Sequence, residues 1–429
     1  MKILFYCDPW FDISDKPKFQ LLFLNSFLDY NVRNLCGYGS LVVGDNVEAK
    51  AICSDIILST GLKDKYNFIE FIAIEQRELK SIFDSFREYS ETQYKMEYGS
   101  KLSALNDIIR SKLGDFNPDI IIPTSSTARG LKYLYPNTPI LFNENGIFAR
   151  APYPTSLYFD CSSGMDESFL LRYKKEIQSF EIGDKEKNFL SEIRNFFDGH
   201  LKPFNRFEQI VANLRKKFSI LTLLPLQVFH SPMFVTQGGC AFKDQIDYLE
   251  YVLNAVGEDV GVIVTEHSLD KILVYEPIVT YFRSKYTNFV YLSASGIYPN
   301  SSQFLLRLVD GVITVSSTVG LQALLYQKPL FIASKTSYLN AFSDGSDLSD
   351  VGNFIKEKRY KDKDGALYYL LTRYYVLGRY YENSKWFYNF LKRSIKKFSD
   401  GVDFNFYDKI DEEEELLKGD YILISPKIS

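Results

Sequence analysis

Gly311 to Phe331, GVITVSSTVGLQALLYQKPLF, decides how this chain folds. Gly311–Val315 is a short apolar run, β-branched and too brief for a helix, and reads as a buried strand. Ser316-Ser317-Thr318 make a turn, Val319–Tyr326 has helical apolar spacing, and Gln327-Lys328-Pro329 ends that helix before a second strand at Pro329–Ile332. Strand, helix and strand in such close succession form the βαβ unit of a parallel sheet.

Upstream, strand-like runs recur at Ile220–Leu224, Val260–Val264 and Phe289–Leu292, separated by helical patterns at Gln245–Ala255 and Lys271–Lys285. The first third repeats the alternation, with apolar runs at Lys2–Cys7, Leu41–Val43, Phe68–Ile74, Asp119–Ile122 and Ile140–Phe142. Ser103–Leu113 lies among them as a helix, with Leu105, Ile108, Ile109 and Leu113 on one face. The expected fold class is α/β: two Rossmann-like domains facing a central cleft, with C-terminal helices. The boundaries fall at residues 1–205 (acceptor domain), 206–365 (nucleotide-sugar domain) and 366–429 (helices and tail packing back on the first domain). PDIIIPTSSTARGL (Pro118–Leu131) echoes DGVITVSSTVGLQALL (Asp310–Leu325), each with Ser-Ser-Thr where strand hands over to helix. Ligands of open α/β sheets bind outside the carboxyl ends of the strands, so both turns lie where a ligand is expected.

At 429 residues the chain has room for two or three domains, and its 46% hydrophobic and 24% charged content excludes global disorder and a polytopic membrane protein. A formal charge of -4 argues against a surface devoted to nucleic acid. Cys7, Cys36, Cys53, Cys161 and Cys240 are scattered, odd in number and without zinc spacing, which fits reduced thiols. The N-terminus MKILFYCDPWFDISDK lacks the apolar core of a signal peptide, and no run approaches a membrane span, so a cytoplasmic location is expected. From Ala366 to Phe398 seven cations stand against Glu382 alone, interleaved with Tyr, Phe and Trp. Such a stretch either lies on the anionic inner face of the membrane or closes the fold with its aromatics inward and its lysines in water.

Four places carry candidate chemistry. Ser316, Ser317 and Thr318 gather hydroxyls and backbone N–H groups at a helix N-terminus, an arrangement that serves an anion or simply caps the helix. In TEHSLDK, His267 follows a strand and Lys271 comes one helical turn later, both able to meet a phosphate. In FNENGIF, a strand delivers Glu144 and Asn145 to the carboxyl edge of the first sheet, where Glu144 serves as general base or pairs with Arg150. In PLQVFHS, Gln227, His230 and Ser231 follow the first strand of the second domain, and Gly238-Gly239 let the loop approach a ligand. P-loop, GxGxxG, serine-hydrolase and metal-cluster patterns are absent, and no metal or other cofactor is expected.

In this order, ENG, LLPLQ, TEHSLDK and SSTVGLQALLYQKPLF resemble the bacterial capsule polysaccharide biosynthesis family, which contains Kdo transferases; the resemblance covers Pro139–Ile332. It implies a GT-B fold and a glycosyltransferase that moves a 2-keto acid sugar from a CMP-activated donor to an oligosaccharide or lipid-linked glycan at the cytoplasmic face. Glu144 then resembles the first acid of an acidic-acidic-Gly motif, with Asn145 in place of the second. His267-Ser268 resembles a His-Pro motif that contacts the CMP phosphate, and Ser316-Ser317-Thr318 the turn that binds phosphate or donor carboxylate. Retaining members have an Asp shortly after PLQ where this chain has Ser231. Either Asp244 or Asp247 supplies that acid, or the enzyme inverts with Glu144 as base, and a sialic or pseudaminic acid donor is a further alternative to Kdo. The rival readings are a UDP- or CDP-dependent GT-B transferase or epimerase, and a catalytically inactive GT-B scaffold.

Overall fold

The computed structural model describes residues 1–9, 47–55, 69–96, 99–123, 127–148, 153–163, 166–202, 207–229, 231–267, 270–292, 300–381, 383–408 and 414–423. The expected strand at Leu41–Val43, and His230 and Ser268, lie outside them.

The first sheet is built from β1 (Lys2–Tyr6), β2 (Glu48–Ser54), β3 (Ile69–Ile74) and β4 (Ile120–Pro123), all parallel, in the order β3-β2-β1-β4. A parallel bridge from Ile121 to Ile140 extends the order beyond β4. After Ile140 the chain enters a three-stranded sheet, in which β5 (Phe142–Asn145) and β6 (Ser156–Asp160) stand beside a strand at Tyr375–Leu377 in the order Tyr375–Leu377, β6, β5. The remaining sheet comprises β7 (Ile220–Pro225), β8 (Val260–Thr265), β9 (Phe289–Tyr291), β10 (Gly311–Thr314) and β11 (Leu330–Ile332), again all parallel, in the order β11-β10-β7-β8-β9. Both large sheets thus wind alike. Three strands step outward to one side, and the fourth returns to the other flank of the first, as in a doubly wound Rossmann-like sheet. Two such sheets bear out the expected α/β class with two Rossmann-like sheets.

The strands follow from burial on both faces. Every residue of β7, β8, β10 and β11 is buried, so continuous apolar runs rather than alternation mark them. Helices cover them through one stripe each: Tyr248, Leu249, Val252 and Leu253 of Gln245–Ala255 join the core with Val279 and Phe282 of Glu276–Lys285. Burial pushes the Cys7 and Cys53 thiols up, the latter to about 12, so both stay protonated and unreactive at neutral pH.

The chain forms two compact units, Met1–Glu144 with Leu157–Phe169 and Val376–Asp408, and Asn145–Ser156 with Leu170–Tyr375 and Lys409–Ser429. The expected boundary after residue 205 falls inside the second unit, and the expected C-terminal segment 366–429 is shared between the two. The physical reason is the helix Asp184–Leu201, whose polar composition hides an apolar stripe of Phe189, Leu190, Ile193, Phe197 and Leu201, all buried. Phe189 meets the Tyr368 ring edge-on at 5.6 Å, and Arg194 grips Asp364 through two N–H groups at 2.9 and 2.5 Å while donating to the Leu325 carbonyl at 2.7 Å.

That ion pair yields a pH prediction. Burial alone raises the Asp364 pKa, but the Arg194 guanidinium outweighs it and holds the carboxyl below its ordinary value. A carboxyl depressed on folding contributes stability above its unfolded pKa of about 3.9 and loses it as pH falls through the folded value. Asp364→Asn should lower the unfolding free energy by about 1–3 kcal/mol at neutral pH, because it strips the half-buried guanidinium of its counter-charge. In urea titrations from neutral to acid pH the two proteins should begin to converge as pH falls below about 4.

Candidate functional site

In each large sheet the winding reverses between the first strand and the fourth, and the crevice beyond the carboxyl ends of those two strands is where open α/β sheets take ligands. In the second sheet this point lies between β7 and β10, so the loop after Pro225 and the turn after Thr314 meet there. Gln227 joins them. Its Oε1 accepts from the Ser316 backbone N–H at 3.0 Å and from the Thr314 hydroxyl at 3.4 Å, and its Nε2 donates to Ser316 Oγ at 3.0 Å. Gln245, at the start of its helix, donates to the Gln227 carbonyl at 3.1 Å and fixes the other end.

The turn itself is ordered residue by residue. Thr314 Oγ1 accepts from the Ser317 N–H at 3.1 Å, and Ser317 caps the helix Thr318–Leu325, its Oγ accepting from the Val319 N–H at 3.3 Å. Ser316 is buried, whereas Ser317 and Thr318 are half-buried and accessible to a ligand. The helix lies close to its own sheet: a Cβ at Gly320 would stand 3.0–3.1 Å from Leu339, Leu330 and Thr314. Gln322, one turn on, donates to the Ile147 carbonyl at 2.9 Å. Hydroxyls, N–H groups and the positive end of the helix dipole collect in one place.

The loop after β8 adds His267, which is half-buried and whose carbonyl accepts from the Asp270 N–H at 3.2 Å. Lys271 follows at this edge, also half-buried. Two carboxylates that the sequence reading passed over stand beside them. Glu266 accepts from the Leu273 N–H at 2.6 Å and the Tyr291 hydroxyl at 2.9 Å, and Asp270 accepts from the Phe229 N–H at 2.9 Å. Asp270 therefore fastens the loop after β7 to the loop after β8. No spacing rule links residues 41 positions apart, so only the sheet order makes the contact visible.

Other expected residues lie elsewhere or do other work. Glu144 and Asn145 end β5, both half-buried, in the three-stranded sheet rather than at the edge of the first. Gly146 is needed for space, since a Cβ there would come within 2.5 Å of Ser156 Oγ. Gly238 has φ of +103° and lies under the Ser334 side chain, so Gly238-Gly239 serve the chain's own packing rather than a ligand. Asp244 is exposed and caps Gln245–Ala255 through the Asp247 N–H at 2.8 Å, while Asp247 accepts from the Lys243 N–H at 3.0 Å. Ser231 Oγ accepts from the Phe234 N–H at 3.2 Å. Lys328 precedes β11 and faces Asp310, which precedes β10, so it belongs to the amino edge of the sheet, opposite the Ser-Ser-Thr turn. In the first sheet the corresponding crevice lies between β1 and β4, and Asp8, buried just beyond β1, is the carboxylate there.

Residues 177–381 match the sequence model of the family described as capsule polysaccharide biosynthesis protein. The matched stretch is similar to that family and contains β7 to β11, Gln227 and the Ser-Ser-Thr turn. No curated protein matches the chain. Among solved structures, the Thermosulfurimonas dismutans KpsC beta Kdo 2,7 transferase is similar at 12% identity and TM-score 0.43, over 80% of this chain and 99% of that one. The calicheamicin glycosyltransferase CalG4 is similar at 9% identity and TM-score 0.35, over 93% and 97%. The Methanocaldococcus jannaschii UDP-GlcNAc 2-epimerase is similar at 12% identity and TM-score 0.33, over 85% and 98%.

The Gln227 clamp is testable without any ligand. Gln227→Ala should cost about 1–3 kcal/mol, because it leaves the buried Ser316 N–H unsatisfied. Ser317→Ala, which removes only a cap, should cost about 1 kcal/mol. Equal costs in denaturant titrations would contradict the clamp.

Proposed function

We propose that the protein is a glycosyltransferase of capsule assembly that takes a 2-keto acid sugar, Kdo or a related nonulosonic acid, from a CMP-activated donor. One observation supports this reading: between β7 and β10, Gln227 ties the Ser316–Thr318 turn to the loop after β7, bringing backbone N–H groups and hydroxyls together at a helix N-terminus where an anion could be received. A CMP-sugar presents a phosphodiester and a carboxylate, both anions suited to Ser316, Ser317 and Thr318. His267 and Lys271 supply further donors at the same edge, and phosphate held there stabilises CMP as it leaves.

The chemistry asks for no metal, since helix dipole, hydroxyls and His267 meet the charge that develops on the leaving phosphate. With Ser231 where retaining relatives carry an acid, the reading is of an inverting displacement. The acceptor hydroxyl gives its proton to a carboxylate while its oxygen bonds to the anomeric carbon and the bond to CMP breaks. The ENG motif offers Glu144 as that base, with Asn145 beside it. The acceptor is an oligosaccharide or lipid-linked glycan at the cytoplasmic face of the membrane.

Calorimetric titration of CMP, CDP, UDP and GDP against the wild type and His267→Ala tests this. CMP should bind, and the variant should bind it about tenfold more weakly, as expected for one lost charge-assisted hydrogen bond. Preference for UDP would indicate the UDP-dependent alternative, and binding of none the inactive scaffold. Glu144→Gln should keep CMP affinity and lose turnover; unchanged turnover would remove Glu144 as base.

A further inference from the structure

The helix Ser384–Ser399, SKWFYNFLKRSIKKFS, contains five cations and no acid, in a chain whose formal charge is -4. Its exposed cations are separated from its buried residues, while Trp386 and Phe390 are half-buried and Phe398 is exposed. Phe387, Tyr388, Leu391 and Ser394 are buried, while Lys385, Lys392, Arg393 and Lys396 are exposed. At 3.6 residues per turn those four cations occupy about a third of the circumference, opposite the buried face. The two remaining interactions at its C-terminal end are local: Lys396 pairs with Asp400 at 2.6 Å, and Lys397 with Asp408 at 2.8 Å and the carbonyls of Asn405 and Phe406. Lys385, Lys392 and Arg393 have no carboxylate partner among the described residues, and Lys392 lies over the Tyr388 ring at 5.3 Å.

We infer that this stripe is a docking surface for an anionic lipid bilayer. Charge complementarity identifies the partner: exposed cations without a carboxylate partner among the described residues, on one helix face, meet a layer of negative headgroups, each contributing attraction. Phe387, Tyr388 and Leu391 are buried in the protein, Trp386 and Phe390 are half-buried and Phe398 is exposed, so the attraction proposed here rests on the cations. Binding is therefore electrostatic, reversible and salt-sensitive. No helix among the described residues is long and apolar enough to cross a membrane, so this face works at the surface. The inference goes beyond the transferase reading and stands on a separate observation; with that reading it would bring the enzyme to a lipid-linked acceptor.

Flotation of the full chain with vesicles of phosphatidylglycerol in phosphatidylcholine, and of phosphatidylcholine alone, tests it. The protein should float with the anionic vesicles only and be released by high salt. Lys385→Glu/Lys392→Glu/Arg393→Glu should lower the partition coefficient about a hundredfold or more, from roughly fivefold for each charge lost. The same variant should keep the wild-type unfolding transition, since all three side chains are exposed. Flotation unchanged in that variant, equal binding to uncharged vesicles, or binding to soluble dextran sulfate without flotation would each overturn the inference. CMP affinity in the same samples reads the transferase proposal separately, so failure of one is not mistaken for failure of the other.

Discussion

The amide of Gln227 holds the candidate site of the second large sheet together. A primary amide is one of the few side chains that can accept from a backbone N–H and donate to a hydroxyl at once, and Gln227 does both toward Ser316. It thereby ties the end of β7 to the end of β10 across the point where the winding reverses. With that tie in place, Thr314 and Ser317 complete the turn and the helix behind it starts in register. Without it, a buried N–H would lack a partner in the middle of the domain.

Strand order explains why these residues meet at all. Gln227, His267 and Ser316 are far apart in sequence, yet β8, β7 and β10 are neighbours in one parallel sheet, so their carboxyl ends emerge side by side. The same order in the first sheet sets Asp8 at the corresponding position. The repetition of this topology in two halves of low similarity fits one supersecondary plan used twice.

Much of this was legible in the sequence, and the reasons are physical. Buried parallel strands read as apolar runs, so Ile220–Pro225, Val260–Thr265 and Gly311–Thr314 stood out, as did the helix Gln245–Ala255 between its Asp cap and Gly257. β2, EAKAICS, begins with charged residues at its exposed end, and neither it nor β6, SLYFD, was expected from the sequence. Asp184–Leu201 was hidden because a charged helix keeps only one stripe apolar. Within the site, Ser316, Ser317 and Thr318 were visible as a strand-to-helix turn. The clamp by Gln227 and the loop tie by Asp270 were not, because hydrogen bonds between distant strands leave no local pattern.

The central claim is that the crevice between β7 and β10 receives a phosphate of the nucleotide donor. Amide resonances followed by NMR during a CMP titration test it most directly. The account predicts that the N–H signals of Ser317, Thr318 and Val319 shift most, and that Gln227→Ala weakens the response. Saturable shifts centred elsewhere, with these three amides unmoved, would contradict it.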